Sequence, residues 1–199
     1  MEAREHLKQM PYALSLSSFL QPLAGAAPFG VATTEERRLE ALARYEASDE
    51  TFEAAFDPIA AIAAHLLQTP IAFCSLVERY RIRLIGRHGF GGPRDLTNES
   101  GLCASAILQH VPYVVERADL DSRTCDHSLV TGAENVRFYV GVPLRTPSGH
   151  NVGTLAVLDR IARLADPESV ELLSTLATLT VDRLERLVAA EKPAARQRA

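Results

Sequence analysis

Hydrophobic and polar positions alternate most clearly between Arg137 and Asp159. Phe138, Val140, Val142 and Leu144 alternate there with Arg137, Tyr139, Gly141 and Pro143, the two-residue period of a strand with two differently used faces. Val152, Thr154, Ala156 and Leu158 repeat the period after the turn-forming Thr146-Pro147-Ser148-Gly149, so the segment reads as a hairpin. Both of its faces are too apolar to meet water, which puts it in the middle of a sheet.

The remaining pattern supplies strands before the hairpin and helices at its flanks. A helix starts near Thr33, with Glu36 completing a capping box and Leu39, Leu42, Ala43 and Tyr45 on its apolar side. The pattern breaks at Ala47-Ser48-Asp49, and Asp57-Pro58 opens a second helix lined by Ile59, Ile62, Ala63, Leu66 and Leu67. Thr69-Pro70 ends it and launches a strand from Ile71 to Val77. A second strand over 81–88 alternates Ile82, Leu84 and Gly86 with Arg81, Arg83 and Ile85, which predicts one wetter face. Asn98 or Ser100 caps a short helix over 102–108, and Pro112 to Val115 reads as an edge strand. The polar stretch 116–135 is long for a connection, which suggests a binding loop with a helical turn inside it. From Asp166-Pro167 to about residue 189, Val170, Leu173, Ala177, Thr180 or Val181, Leu184 and Leu187 line a long helix. Leu172, Leu176 and Leu179 widen that apolar face beyond what one partner layer needs, and predict a homodimer.

Composition narrows the class. With 199 residues, the chain suits one domain of about 150 residues plus an arm; the expected division is an N-terminal arm over 1–32, a domain over 33–189 and a tail over 190–199. Within the arm, Met1 to Met10 could form a short charged helix, and Leu14, Leu16, Phe19 and Leu20 are apolar enough to dock. A net charge of −4 without a basic stripe argues against nucleic acid and anionic membrane. No sustained apolar run resembles a signal or a membrane span, so a cytoplasmic location is expected. Three cysteines are too few for a disulfide framework.

RFYVGVPL followed by GTLAVLD resembles the signature of GAF domains, the small ligand-binding modules of bacterial signalling proteins. TPIAFCSLV (69–77), GLCASAI (101–107) and ADLDSRTCDHSLVTGAENVRFY (118–139) extend the resemblance over roughly 35–188. It implies an α+β fold related to PAS domains, with a mostly antiparallel sheet, terminal helices on one face and short helices and loops over a ligand pocket on the other. By resemblance, Phe73, Ser75, Cys103, Ile107, Asp119, Arg123, Arg137 and Tyr139 lie at or near that pocket. Their mixed polarity suits a small molecule. Arg137 could equally form an ion pair with Asp119 or Asp121, and Tyr139 could simply close the core.

Three functions follow as expectations. The first is a sensory module for an unidentified small molecule, signalling through dimerising helices or a partner protein. The second rests on Cys125-Asp126-His127, which with Cys103 is similar to free methionine-(R)-sulfoxide reductase; that chemistry needs a reactive Cys125 and a resolving Cys103. Pro93 stands where that family has a further cysteine. The third is a ligand-free interaction module. No cofactor is implied, and His110, His127 and His150 with the cysteines show no spacing that would close a metal site. Ala104 after Cys103 and Asp126 after Cys125 depart from the Cys-His pair of bilin-binding relatives.

Overall fold

The computed structural model describes residues 34–45 and 54–196, with side chains to residue 190. The arm, its Met1 to Met10 helix, the Thr33 cap and the break at Ala47-Ser48-Asp49 lie outside the described residues. Helix α1 (Thr34–Ala43) and helix α2 (Asp57–Leu66) precede strands β1 (Ile71–Val77), β2 (Arg81–His88) and β3 (Asp95–Thr97). Helix α3 (Cys103–Ala106), strand β4 (Tyr113–Val115) and helix α4 (Ser128–Thr131) follow, then β5 (Phe138–Arg145), β6 (Asn151–Asp159) and helix α5 (Pro167–Arg196).

The strands form one antiparallel sheet in the order β3-β2-β1-β6-β5-β4. The β5–β6 hairpin is internal and β4 is an edge, as the alternation and Pro112 require. Every residue of β1 and β6 is buried, so the sheet is covered on both faces. One cluster packs Leu42, Ala60, Val140, Leu155, Leu173 and Leu184 between the sheet and α1, α2 and α5. Another packs Phe73, Leu84, Leu102, Cys103, Tyr139 and Ala156 beneath α3, α4 and their loops. Each fully buried leucine contributes roughly 1.5–3 kcal/mol, and Leu173 and Leu184 tie α5 to the sheet in this way.

Two bulges shift the alternation read from sequence. Leu144 faces Gly153 and Arg145 faces Asn151, which leaves Val152 as an extra residue; Val152 joins Leu155 and Val157 on the helix face instead of Ala156 on the other. In β2 the register skips Ile85, because Cys74 faces Gly86 and Ser75 faces Leu84. A bulge places two neighbours on one side, so Gly86 turns toward α2, where a Cβ would lie 2.5 Å from the Phe56 backbone.

The predicted wet face of β2 is also corrected. Arg83 is buried and donates through Nη2 to the Tyr45 carbonyl at 2.8 Å, while Ile85 packs with the helices. Arg38 is likewise buried, giving Nη1 to the Val77 carbonyl at 2.7 Å while Glu35 holds its other nitrogens. The Tyr45 hydroxyl donates to Glu185, fastening the end of α1 to α5. Neither Asn98 nor Ser100 caps α3, whose N-cap is Leu102 without a side-chain bond; Asn98 instead donates to the Glu78 and Arg79 carbonyls. The three-residue β3 was not foreseen. The α5 backbone stays helical to Arg196, past the predicted end and through Pro193. No helix among the described residues is long and apolar enough to cross a membrane.

Gly153 pairs with both Leu76 and Leu144, and a Cβ there would lie 1.8 Å from the Ser75 carbonyl oxygen. Because backbone cannot move aside as a side chain can, Gly153→Ala is expected to cost about 2–4 kcal/mol in urea unfolding. An unchanged midpoint would show that β1 and β6 separate at little cost.

Candidate functional site

Phe73 and Ser75 on β1, Tyr139 on β5, and Cys103 and Ile107 at the two ends of the α3 turn share the loop-side face of the sheet, and all five are buried. They fill this region by packing together. Ser75 Oγ lies 2.8 Å from Thr154 Oγ1 on the neighbouring strand, and the Tyr139 hydroxyl donates to Cys103 Sγ at 3.4 Å. Gly141 makes room for that tyrosine, since a Cβ would lie 2.2 Å from its hydroxyl. Phe73 meets the Phe90 ring edge-on at 6.0 Å, and Tyr139 meets Tyr113 at 6.2 Å. Burial pushes the Cys103 thiol and the Tyr139 hydroxyl above their ordinary values, so both are neutral hydrogen-bonding groups near pH 7.

Asp119, Arg123 and Arg137 lie farther out, in and beside the 116–135 loop. Arg123 binds Asp121 through Nε at 2.9 Å and stacks over Tyr113 at 4.8 Å; this guanidinium holds the Asp121 carboxyl down at about 2. Arg137 donates through Nη1 to the carbonyls of Val130 and Val136 at 3.1 and 2.9 Å, and through Nη2 to Asn135 Oδ1. Its Nε stands 3.9 Å from Asp119. Of the two acids considered from sequence, Arg137 therefore faces Asp119, and Asp121 serves Arg123. These contacts brace the loop.

An open cavity of about 280 Å³ lies at the end of this layer, between β2, β3, α3 and α4. Ile82, Leu96, Leu102 and Leu129 supply apolar walls, Asp95 and Glu99 contribute carboxylates, and Cys103 is shared with the packed cluster. His127 provides the buried polar group. It is the N-cap of α4 and its Nδ1 accepts from the Leu129 amide at 3.1 Å, so the neutral ring carries its proton on Nε2. His127 is 8% exposed, and Nε2 has no hydrogen-bond partner among the described residues. Burial lowers the imidazole's pKa, against a smaller opposing pull from Glu99, whose carboxylate is 3.9 Å from Nδ1. Glu99 also accepts from the Ser128 amide at 2.9 Å, tying the β3–α3 connection to α4.

The cavity thus offers a donor set in an apolar recess. Of the eight residues proposed from sequence, Cys103 lines it. Ile82, Leu96, Glu99 and Leu129 were not singled out, and β3, which carries Leu96, has too few residues for a periodic signal. His127 was noticed only as part of Cys125-Asp126-His127. In the fold that triplet divides: His127 turns inward as a cap, and Cys125 is half-buried with its amide on the Asp121 carbonyl at 2.9 Å. The raised Cys103 thiol is poorly suited to the resolving role that sulfoxide reduction needs. Among the described residues, no three histidine, cysteine or acidic side chains gather as metal ligands do.

Comparison with known proteins agrees with this architecture. The family model described as GAF domain matches residues 51–182. A cyclic di-GMP phosphodiesterase from Pseudomonas aeruginosa is 37% identical over 144 residues, which are 71% of this chain and 24% of that protein. The chain thus spans about a quarter of the length of that curated relative. Among solved structures, the GAF domain from an Acinetobacter phosphoenolpyruvate-protein phosphotransferase superposes with a TM-score of 0.58 at 15% identity, covering 81% of this chain and 99% of that one. Free methionine-R-sulfoxide reductase from Neisseria meningitidis gives a TM-score of 0.56 at 18% identity, covering 80% and 95%; at such identities the likeness concerns the fold alone. With a matching family model over most of its length and the sheet and helix layers of that fold, the chain belongs to the GAF domain family.

Proposed function

We propose that this GAF domain is a sensory module that binds a small molecule in the His127 cavity and signals through paired α5 helices or a partner protein. The observation that carries the reading is the buried Nε2–H of His127, a donor without an acceptor in an apolar recess. A ligand that accepts this hydrogen bond and covers Leu96, Leu102 and Leu129 supplies what the recess lacks. Asp95 and Glu99 disfavour an anionic group on the ligand. Cys103 touches the ligand, while Phe73, Ser75, Ile107 and Tyr139 support it from behind, and Asp119, Arg123 and Arg137 brace the loop that carries His127.

Leu172 and Leu179 are about half exposed on α5, one heptad apart, and Leu176 lies between them. That spacing suits a helix pair between two copies. Coupling requires the ligand to bind the two arrangements of α3 and the sheet with different affinities. The identity to a stretch of a cyclic di-GMP phosphodiesterase supports a place in signalling.

Native mass spectrometry of the full chain is expected to show a retained small molecule that His127→Asn loses. Asparagine keeps a cap for α4 but lacks the ring N–H. Equal retention by both proteins would remove His127 from the site.

The buried, neutral His127 also gives a pH signature. Its folded pKa lies below the ordinary value of about 6.5, so stability is full above that value and falls as pH drops through it, levelling off below the depressed folded value. The urea midpoint of the native sequence should therefore fall more than that of H127N between about pH 7 and about pH 5. Parallel losses would place the imidazole in solvent.

Leu179→Glu should convert a dimer to a monomer in sedimentation, with little change in thermal midpoint because Leu179 is 56% exposed. A native chain that sediments as a monomer at high concentration would overturn the pairing.

A further inference from the structure

A larger cavity, of about 490 Å³, lies on the opposite face of the sheet between α5 and the β4–β5 edge. Val111, Pro112 and Val142 wall it on the sheet side, and Ala177 and Val181 on the helix side. Asn151 reaches it from the start of β6 and is 9% exposed. Its Nδ2 donates to the carbonyls of Ile107 and Gln109, each at 2.8 Å. Both N–H groups are thereby used, which fixes the orientation of the amide. Oδ1 is buried and without a hydrogen-bond partner among the described residues.

The hydroxyls on the lining are used elsewhere, and Thr146 Oγ1 bonds Ser148 Oγ at 2.9 Å and the His150 carbonyl at 3.2 Å. Ser174 and Thr178, which line the same groove, donate to the α5 carbonyls of Val170 and Ser174 at 2.9 and 3.2 Å. The charged and titratable groups on the lining, His110, Arg145 and Asp182, are exposed and of mixed sign, so they select neither a cation nor an anion. We infer that this groove is a second small-molecule site, taking an uncharged, largely apolar molecule that gives one N–H or O–H to Asn151 Oδ1. Its volume is in the range of small-molecule pockets, about 300–1,000 Å³. The sheet separates this groove from the His127 cavity, and the two share no lining residue.

Indole and 1-methylindole form a matched pair of probes, since they differ in the donor and share the apolar body. Each is titrated into the full chain and followed by amide chemical shifts. Indole is expected to shift Val142, Ala177 and Val181 saturably in the millimolar range. The methylated probe should bind roughly three- to tenfold more weakly, the loss expected of one hydrogen bond. Thr178→Trp, placed on an exposed position of the groove, should abolish the shifts while leaving the thermal midpoint near that of the native sequence. Equal binding of the two probes would remove Asn151 as the anchor. Shifts confined to Leu96 and Leu129, or no saturable shift, would overturn the second site.

Discussion

The fold depends on the burial of β1 and β6 on both faces. A strand exposed on one side needs one covering layer, but these two need two, each with its own hydrophobic cluster. The chain provides the layers from different places. Segments before and after the sheet give α1, α2 and α5, and the stretch between β2 and β5 gives α3, α4 and their loops. The close approach of Gly153 to the Ser75 carbonyl lets the central pair sit together, and Arg38 and Arg83 donate to the carbonyls of Val77 and Tyr45.

Two-sided burial also decides where a ligand can enter. The centre of the loop-side face is occupied by Phe73, Cys103 and Tyr139, and its polar atoms bond to one another through the Ser75–Thr154 and Tyr139–Cys103 contacts. A satisfied, packed cluster has little to gain from a guest. At the β2–β3 end the packing opens, because the short β3 and α4 leave the recess that His127 reaches into. Free energy is available there because a donor is already desolvated and unpaired.

Much of the fold could be read from the sequence because hydrophobic period reports burial directly. The hairpin, the edge strand, the two proline-led helices and the inward face of α5 all follow from it. The failures have local causes. A bulge at Val152 and another at Ile85 each displace the period by one residue, and Arg83 is buried with Nη2 on the Tyr45 carbonyl, which no pattern of residue types announces. The site was less legible. The resemblance named residues on the sheet and in the loop, whereas the cavity is made by contacts between β2, β3 and α4 that are remote in sequence. His127 carried a signal, a histidine just before a short helix, but its meaning rests on which ring nitrogen faces the Leu129 amide.

Asn151 joins the two faces. It stands at the start of β6, and its amide holds the chain just after α3, at Ile107 and Gln109. The same α3 begins at Cys103 on the wall of the His127 cavity. Backbone hydrogen bonds run through α3 and its flanks from Leu102 to Gln109, so movement at one end is carried to the other as a unit. A shift of α3 would alter the two carbonyls that orient Asn151, and with them the groove beside α5. Linkage through this asparagine needs no long path: it requires only that the α3 position preferred by a guest on one face differ from the position preferred on the other.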